Sequence, residues 1–213
     1  MDENLNTEEL IDQLKGNKVL KGFTIAVGVI VVIVLGIFGY NRLIVEPGEA
    51  EASDYNSTAI SLLQKDSVDL AITEFENQVA EYDGYNQGEM AQFQLASLYF
   101  DKGDYQAALE EVEGVELNDE FVASLAKGLE GDCNVELGNL EDGIAAYVTA
   151  AERRKNELTT PHFLFKAAKV CEEVKDFEKA TEIYQTIIDE YPAFANQNTV
   201  EKYKARASNS TAK

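Results

Sequence analysis

One uninterrupted apolar run dominates the hydropathy pattern near the amino end of the chain. Between Gly22 and Tyr40 no residue is charged, and the only clearly polar side chain is Thr24. A helix rises about 1.5 Å per residue, so this run nearly crosses a hydrocarbon core of about 30 Å, and it crosses fully if Arg42 extends to the headgroups. The pattern predicts one transmembrane helix over residues 22–45.

A cleaved signal peptide is the alternative for such a run. Signal peptides have an apolar core of about 7 to 15 residues followed directly by a small-x-small site. Here the core is longer, and the nearest such site, Ala50-Glu51-Ala52, lies beyond Pro47. The pattern favours a retained anchor.

Basic residues near the run predict its orientation. Lys15, Lys18 and Lys21 precede it, whereas only Arg42 follows it within twenty residues. Lys and Arg are enriched in cytoplasmic flanks. We therefore expect residues 1–21 to form a cytoplasmic arm and the chain after the anchor to be exported.

Beyond the anchor, apolar positions recur at helical spacing. The stretch Glu46-Pro47-Gly48-Glu49 predicts a break, so residues 46–51 are expected to be a linker. Only two more prolines follow, Pro161 and Pro192, while Ala, Leu, Glu and Lys are abundant. This pattern favours an all-α domain.

The helical pattern also repeats on a larger scale. Residues 102–110 predict the end of one helix, a turn and the start of another, with related turns at 137–144 and 174–180 and a weaker one at 65–71. Small residues that follow these turns are spaced 37, 35 and 37 apart, and they are Ala71, Ala108, Gly143 and Ala180. Such spacing is typical of stacked helix hairpins.

This array resembles the tetratricopeptide repeat family. The second repeat carries the resemblance through Leu95, Ala96, Tyr99, Gly103, Tyr105 and Ala108, and the fourth carries it through Ala168, Phe177, Ala180, Tyr184 and Pro192. The resemblance implies a solenoid of about four helix pairs over residues 52–192. A capping helix over 193–207 and a disordered tail over 208–213 are expected after it.

Charge narrows the range of partners. From Leu43 to the carboxyl end there are 34 acidic against 14 basic residues. Such a surface repels nucleic acid and anionic headgroups, so we expect no nucleic acid partner, and contact with the lipid bilayer only through the anchor.

The sequence contains few residues in patterns typical of catalysis or of metal binding. The only histidine is His162, and neither a phosphate-binding glycine loop nor a nucleophile elbow is present. We therefore expect no enzymatic activity, no metal and no cofactor. Cys133 and Cys171 fall near equivalent positions of the third and fourth repeats, where a disulfide across repeats and two buried thiols are both open.

The resemblance also implies a binding groove along the outward positions of each first helix. Carried onto this chain, the groove residues are Met90, Phe93, Phe100, Leu125, Asp132, Glu136, His162, Phe165 and Lys169. An apolar strip rimmed by acids suits a hydrophobic or basic peptide. The alternative is that these aromatic residues pack against neighbouring hairpins or the capping helix. The Lys and Asn set that clamps a peptide carboxylate in some family members is missing, because Gly128 and Asp132 hold matching positions.

The anchor carries small residues that could face another membrane helix. Gly22 and Ala26 form a small-x-x-x-small pair, and Gly36 lies on nearly the same side as Gly28. Small residues allow close approach of helices in a membrane.

The whole arrangement resembles the YfgM family of ancillary subunits of the bacterial Sec translocon. The resemblance rests on the acidic arm, on the Lys and Gly residues where the anchor begins, and on Gly103–Ala108. The resemblance implies a non-enzymatic scaffold at the translocon that binds exported polypeptides or periplasmic chaperones. The alternative is a structural subunit of another envelope assembly, such as a secretion or division complex.

The lysine asymmetry generates a topological prediction. A reporter active only in the cytoplasm should work when fused before residue 15 and fail when fused at Lys213, because the basic flank is retained inside. The protein should also resist carbonate extraction from membranes. A soluble mature form that starts near Ser53 would contradict the anchor.

Overall fold

The structure is a computed structural model that describes residues 18–211, with side chains over 22–210. Every regular element in that range is helical, which confirms the predicted all-α class. A π-helical turn at Asn41–Val45 follows the first helix. The helices in chain order are α1 (Lys18–Tyr40), α2 (Glu46–Gln64), α3 (Val68–Glu81), α4 (Asn86–Asp101), α5 (Tyr105–Glu113), α6 (Glu120–Glu136), α7 (Leu140–Arg153), α8 (Thr159–Glu173), α9 (Phe177–Glu190), α10 (Pro192–Gln197) and α11 (Val200–Thr211).

The chain divides into two compact units between Ala50 and Glu51. The first unit contains α1, whose most apolar stretch has a mean hydropathy of 2.7 and no buried residue. This helix is long and apolar enough to cross a membrane. The predicted cytoplasmic arm falls, over residues 1–17, outside the described residues.

The helix break expected at Glu46-Pro47-Gly48-Glu49 is wrong. These residues form the first turn of α2, directly after the π-helical turn. The chain is helical without interruption from Gly22 to Gln64, so Pro47 lies inside a helix, just after the π-helical turn, which is a local irregularity of the kind found where a helix carries a proline. The carboxylate of Glu46 also pairs with Arg42 one turn earlier. Local pairing and position therefore override the usual effect of a Pro-Gly dipeptide.

Four helix hairpins follow α1, and apart from residues 46–50 of α2 they belong to the second unit: α2 with α3, α4 with α5, α6 with α7, and α8 with α9. Each pair is joined by a three-residue turn at the place that the sequence predicts. One residue in each turn has a left-handed backbone, with φ of 60, 80, 83 and 65° at Asp66, Gly103, Gly138 and Lys175. Glycine adopts this conformation without strain, so the second and third turns are the least strained.

Small residues set the spacing within the hairpins. Ala71, Ala108 and Ala180 are fully buried. A Cβ added to Gly143 would lie 2.6 Å from Cγ2 of Val135, closer than atoms tolerate. The prediction that these positions bring paired helices together is confirmed.

The two cysteines are free and lie in different parts of the core. Cys133 packs beside Leu109 and Val112 of the second repeat, whereas Cys171 packs beside Tyr184 of the fourth. Of the two alternatives left open by the sequence, the disulfide is therefore not formed in this structure. Burial raises the pKa of Cys133 to about 12 and also raises the pKa of Cys171, so both thiols remain protonated at neutral pH.

The capping segment differs from the single helix expected over 193–207. It forms α10 and α11, which are separated where Thr199 adopts a φ of 53°. The helix also continues through Thr211, so the prediction of a disordered tail is wrong for 208–211, and residues 212–213 lie outside the described range.

A charged contact attaches this cap to the last repeat. Nε and an Nη atom of Arg206 lie 2.8 Å from the two carboxylate oxygens of Glu172, and the hydroxyl of Tyr184 donates to the same carboxylate at 2.7 Å. Burial raises the pKa of Glu172, but the hydrogen bonds from Arg206 and Tyr184 outweigh burial and leave this pKa lowered. The carboxylate therefore stays ionised and holds α11 against α8.

Overpacking tests the close contact within the hairpins. Replacing Ala108 or Ala180 by leucine should cost about 1–3 kcal/mol of unfolding free energy, because the added atoms force the paired helices apart. Circular dichroism should show a lower Tm for each variant. Ala205→Leu, at an exposed position of α11, is the matched control and should melt like the parent. Equal melting of all three variants would contradict the packing.

Candidate functional site

A groove of about 590 Å³ runs across α4, α6 and α8 and ends at α10. These are the first helices of the second, third and fourth repeats, together with the first helix of the cap. Its lining is mainly apolar, with a few polar groups. The lining residues are Phe93, Ser97, Phe121, Leu125, Gly128, Leu129, Asp132, Leu158, Thr159, His162, Phe163, Lys166, Phe194, Gln197 and Asn198.

The floor of the groove is an apolar stripe on α6. Phe121, Leu125 and Leu129 are four residues apart, so they share one face of this helix. Gly128 lies beside them, and a Cβ added there would lie 2.1 Å from Cε1 of Phe163. Glycine at this position therefore lets the Phe163 ring of α8 lie directly on α6 and close the floor.

An ion pair forms the polar part of the wall. Nζ of Lys166 lies 2.7 and 2.8 Å from the two carboxylate oxygens of Asp132. The hydroxyl of Tyr147 donates to the same carboxylate. Burial, together with the Asp132 hydrogen bond, raises the pKa of Tyr147, so this hydroxyl keeps its proton. The charges compensate each other within the wall, and Lys166 is not a bare cation facing the groove.

A leucine at the rim is held out by a hydrogen-bonded loop. Leu158 is 66% exposed although it lines the groove. Oδ1 of Asn156 accepts from the backbone N–H groups of Leu158 and Thr159, each at 2.8 Å, and its Nδ2 donates to Oγ1 of Thr159 at 2.6 Å. The hydroxyl of Thr160 donates to the buried carbonyl of Ala151 at 3.1 Å. The loop therefore presents an apolar side chain in a fixed position.

His162 lies beside the ion pair on α8. Its ring meets Phe163 edge to face, with centroids 5.3 Å apart. Partial desolvation by the groove wall lowers the pKa of His162 although the residue is exposed, Lys166 lowers this pKa further, and Asp132 opposes both effects in part. The imidazole is therefore neutral at pH 7.

The structure brings together four of the nine groove residues expected from the sequence. Phe93, Leu125, Asp132 and His162 line the groove. Glu136 and Lys169 are exposed on α6 and α8, one turn beyond it. Their roles in binding stay predictions.

Three aromatic or apolar residues expected in the groove instead pack elsewhere. Met90 and Phe100 lie against the core of the second repeat. The ring of Phe165 is surrounded by aromatic rings at centroid distances of 5.0 to 6.0 Å, namely those of Tyr184, Phe194 and Tyr203. The cap covers Phe165, which is the packing alternative left open by the sequence.

Several lining residues were missed by the sequence reasoning. Phe121 and Leu129 lie one turn on either side of Leu125, so extending the stripe by four residues in each direction would have found them. Phe194 comes from the cap, and its place in the groove depends on how α10 packs, which no local pattern predicts. Leu158 precedes α8 and has no periodic signal.

In the first unit, the glycines of the expected helix-packing face are open. A Cβ added at Gly22, Gly28 or Gly36 would meet no atom within 4 Å. A contact of this face, including Ala26, with another membrane helix stays a prediction.

Comparisons with known proteins agree with the hairpin architecture. A family described as tetratricopeptide repeat-like domain matches residues 57–170. A crystal structure of MamA protein aligns with a TM-score of 0.57 and 18% identity, covering 76% of this chain and 88% of MamA. Another MamA crystal structure aligns with a TM-score of 0.55 and 18% identity over 72% of this chain and 94% of that one. At this identity the likeness is one of fold. No curated protein matches the chain.

The single histidine allows a direct test of the groove electrostatics. Proton NMR of the imidazole should give a pKa below 6.5, the ordinary value for histidine. Lys166→Met should raise this pKa, because it removes a nearby positive charge, and Asp132→Asn should lower it, because it removes the opposing negative charge. Lys179→Met, on the second helix of the same hairpin, is a control that should leave the pKa unchanged. Shifts of opposite sign would contradict the geometry.

Proposed function

Because this chain belongs to the tetratricopeptide repeat-like domain family, we propose that it is a non-enzymatic, membrane-anchored scaffold that binds a protein segment in the groove across α4, α6 and α8. Stacked helix hairpins in such arrays build extended concave surfaces for other polypeptides. The groove described above is such a surface.

The observation that carries this proposal is an open apolar groove beside a fixed, exposed leucine. A volume of about 590 Å³ exceeds a packing defect and falls in the range of binding clefts. Leu158 exposes 66% of its surface at the rim, where water contact is unfavourable until a partner covers it. The polar wall is already compensated by the Asp132–Lys166 pair. These features favour recognition of apolar side chains over bond-making chemistry.

The anchor and its flanks support a place at the bacterial inner membrane. α1 is long and apolar enough to cross a membrane, and the lysines before it favour a cytoplasmic amino end. The repeat unit would then work in the periplasm. Together with the resemblance to ancillary translocon subunits, this supports a role as an accessory of the Sec translocon or of the envelope chaperone network.

A structural subunit of another envelope assembly is the second candidate. The open glycines of α1 support this second candidate as much as the first, since a face of small residues can pack against any membrane helix. Extraction in mild detergent followed by affinity purification of the full-length protein distinguishes the two. The first function predicts translocon subunits in the eluate, and the second predicts a different stoichiometric assembly.

Groove variants test the binding function. Phe93→Ala combined with Leu158→Asp should abolish crosslinking to exported polypeptides, because it removes two apolar contacts that a partner would bury. The membrane partner should still copurify, since α1 is unchanged. Phe165 is unsuitable for this test because it packs beneath the cap.

The matched control is Leu70→Asp, which changes a leucine that is 60% exposed on α3, outside the groove. It should keep every partner. Circular dichroism should show that both proteins remain folded. A folded double variant that retains all its clients would contradict the groove as the working surface.

A further inference from the structure

Charge is distributed unevenly along the repeat array. Residues 46–152 contain 25 acidic and 3 basic residues, whereas residues 153–213 contain 9 acidic and 11 basic residues. The first three repeats are therefore strongly anionic, while the fourth repeat and the cap are close to neutral. The groove extends from the second repeat to the cap, so it crosses from one region to the other.

The same polarity is present on the helix faces that form the groove. On α4, the stripe that contributes Phe93 and Ser97 continues after four residues in each direction to Glu89 and Asp101. Glu89 accepts the backbone N–H of Glu116 at 2.6 Å, which holds its carboxylate in place. Neither Glu89 nor Asp101 lines the groove itself, so the α4 stripe has one carboxylate about one turn beyond the groove lining at each of its ends.

The first helix of the third repeat adds to this negative side. The groove stripe of α6 passes through Asp132 and continues after four residues to Glu136, which is exposed. Asp132 is compensated by Lys166, but Glu136 has no ion-pair partner among the described residues. The groove end of α6 therefore contributes a carboxylate to the same side as α4.

The opposite side of the groove carries positive charge. Lys166 on α8 is compensated by Asp132, so this charge comes from Lys169, which is exposed one turn beyond the groove and has no ion pair in the described part of the chain. This side also carries apolar side chains, with Leu158 at the rim and Phe194 at the end of the groove.

We propose that the groove takes an apolar polypeptide segment that carries basic residues at one end, with that end over α4 and the apolar part against Leu158 and Phe194. This inference rests on the proposed function. A Lys or Arg residue of the ligand would face Lys169 at the α8 end of the groove, whereas at the α4 end it would meet carboxylates. The reverse orientation and an acidic segment are disfavoured by the same charges. The groove therefore selects both the composition and the direction of its ligand.

Two synthetic peptides test the composition. One has an apolar centre and two lysines at one end, and the other has two glutamates in place of the lysines. Binding is measured by fluorescence anisotropy on the full-length protein in zwitterionic nanodiscs, with empty nanodiscs as the blank. The lysine peptide should bind about fivefold to tenfold more tightly, the size expected from a few exposed ion pairs. The preference should shrink as salt is raised.

Charge reversal tests the direction. Asp101→Lys combined with Glu136→Lys should abolish or invert the preference, while Leu158→Asp should weaken the binding of both peptides, because it places a charge in the apolar contact. The matched control, Glu152→Lys combined with Glu190→Lys, makes the same charge change near the carboxyl ends of α7 and α9 and should keep the preference. A photoreactive group at the lysine end should crosslink to α4 and not to α10.

The outcomes separate this inference from the proposed function. Equal binding of the two peptides that is lost in Leu158→Asp would overturn the charge selection and leave the groove as the binding site. Crosslinking of the lysine end to α10 would overturn the direction in the same way. Absence of binding by either peptide would overturn both the inference and the proposed function.

Discussion

The rest of the array depends on one constraint. Neighbouring helices can approach closely only where a residue has no bulky side chain. In the third repeat, a Cβ on Gly131 would lie 2.6 Å from Cδ1 of Tyr147, and one on Gly128 would lie 2.1 Å from Cε1 of Phe163. The first contact lies within a hairpin and the second between neighbouring hairpins. A wider first spacing would move α7 away from α6, and a wider second spacing would move α8 away from α6 and open the floor of the groove.

Carboxylates on first helices then join elements one repeat apart. Asp132 on α6 accepts from Tyr147 of its own hairpin and from Lys166 of the next one. Glu172 on α8 accepts from Tyr184 of its own hairpin and from Arg206 of α11. Both pairs are 34 residues apart, so α11 takes the place of a fifth first helix. Because each carboxylate has partners on two sides, it is satisfied despite partial burial.

The sequence predicted what depends on local chemistry and missed what depends on distant partners. The four turns and the buried Ala71, Ala108 and Ala180 follow from residue type and repeat spacing. Phe165 has the outward register of a groove residue, yet Phe194 and Tyr203 cover it because the cap folds back. Four of the nine expected residues line the groove, because the sequence predicts which face of each helix points outward. It does not predict how α10 packs against that face.

A modest groove can be sufficient in a tethered protein. The apolar floor gains free energy from the area it buries, but ordering a flexible ligand offsets much of that gain. Because Asp132 and Lys166 compensate each other, occupation of the groove need not strip water from an unpaired charge. Under the proposed function, a membrane anchor that bound the same assembly would raise the effective concentration of the groove without any added contact. Weak apolar recognition would then permit release of the ligand, as the proposed role of an accessory scaffold requires.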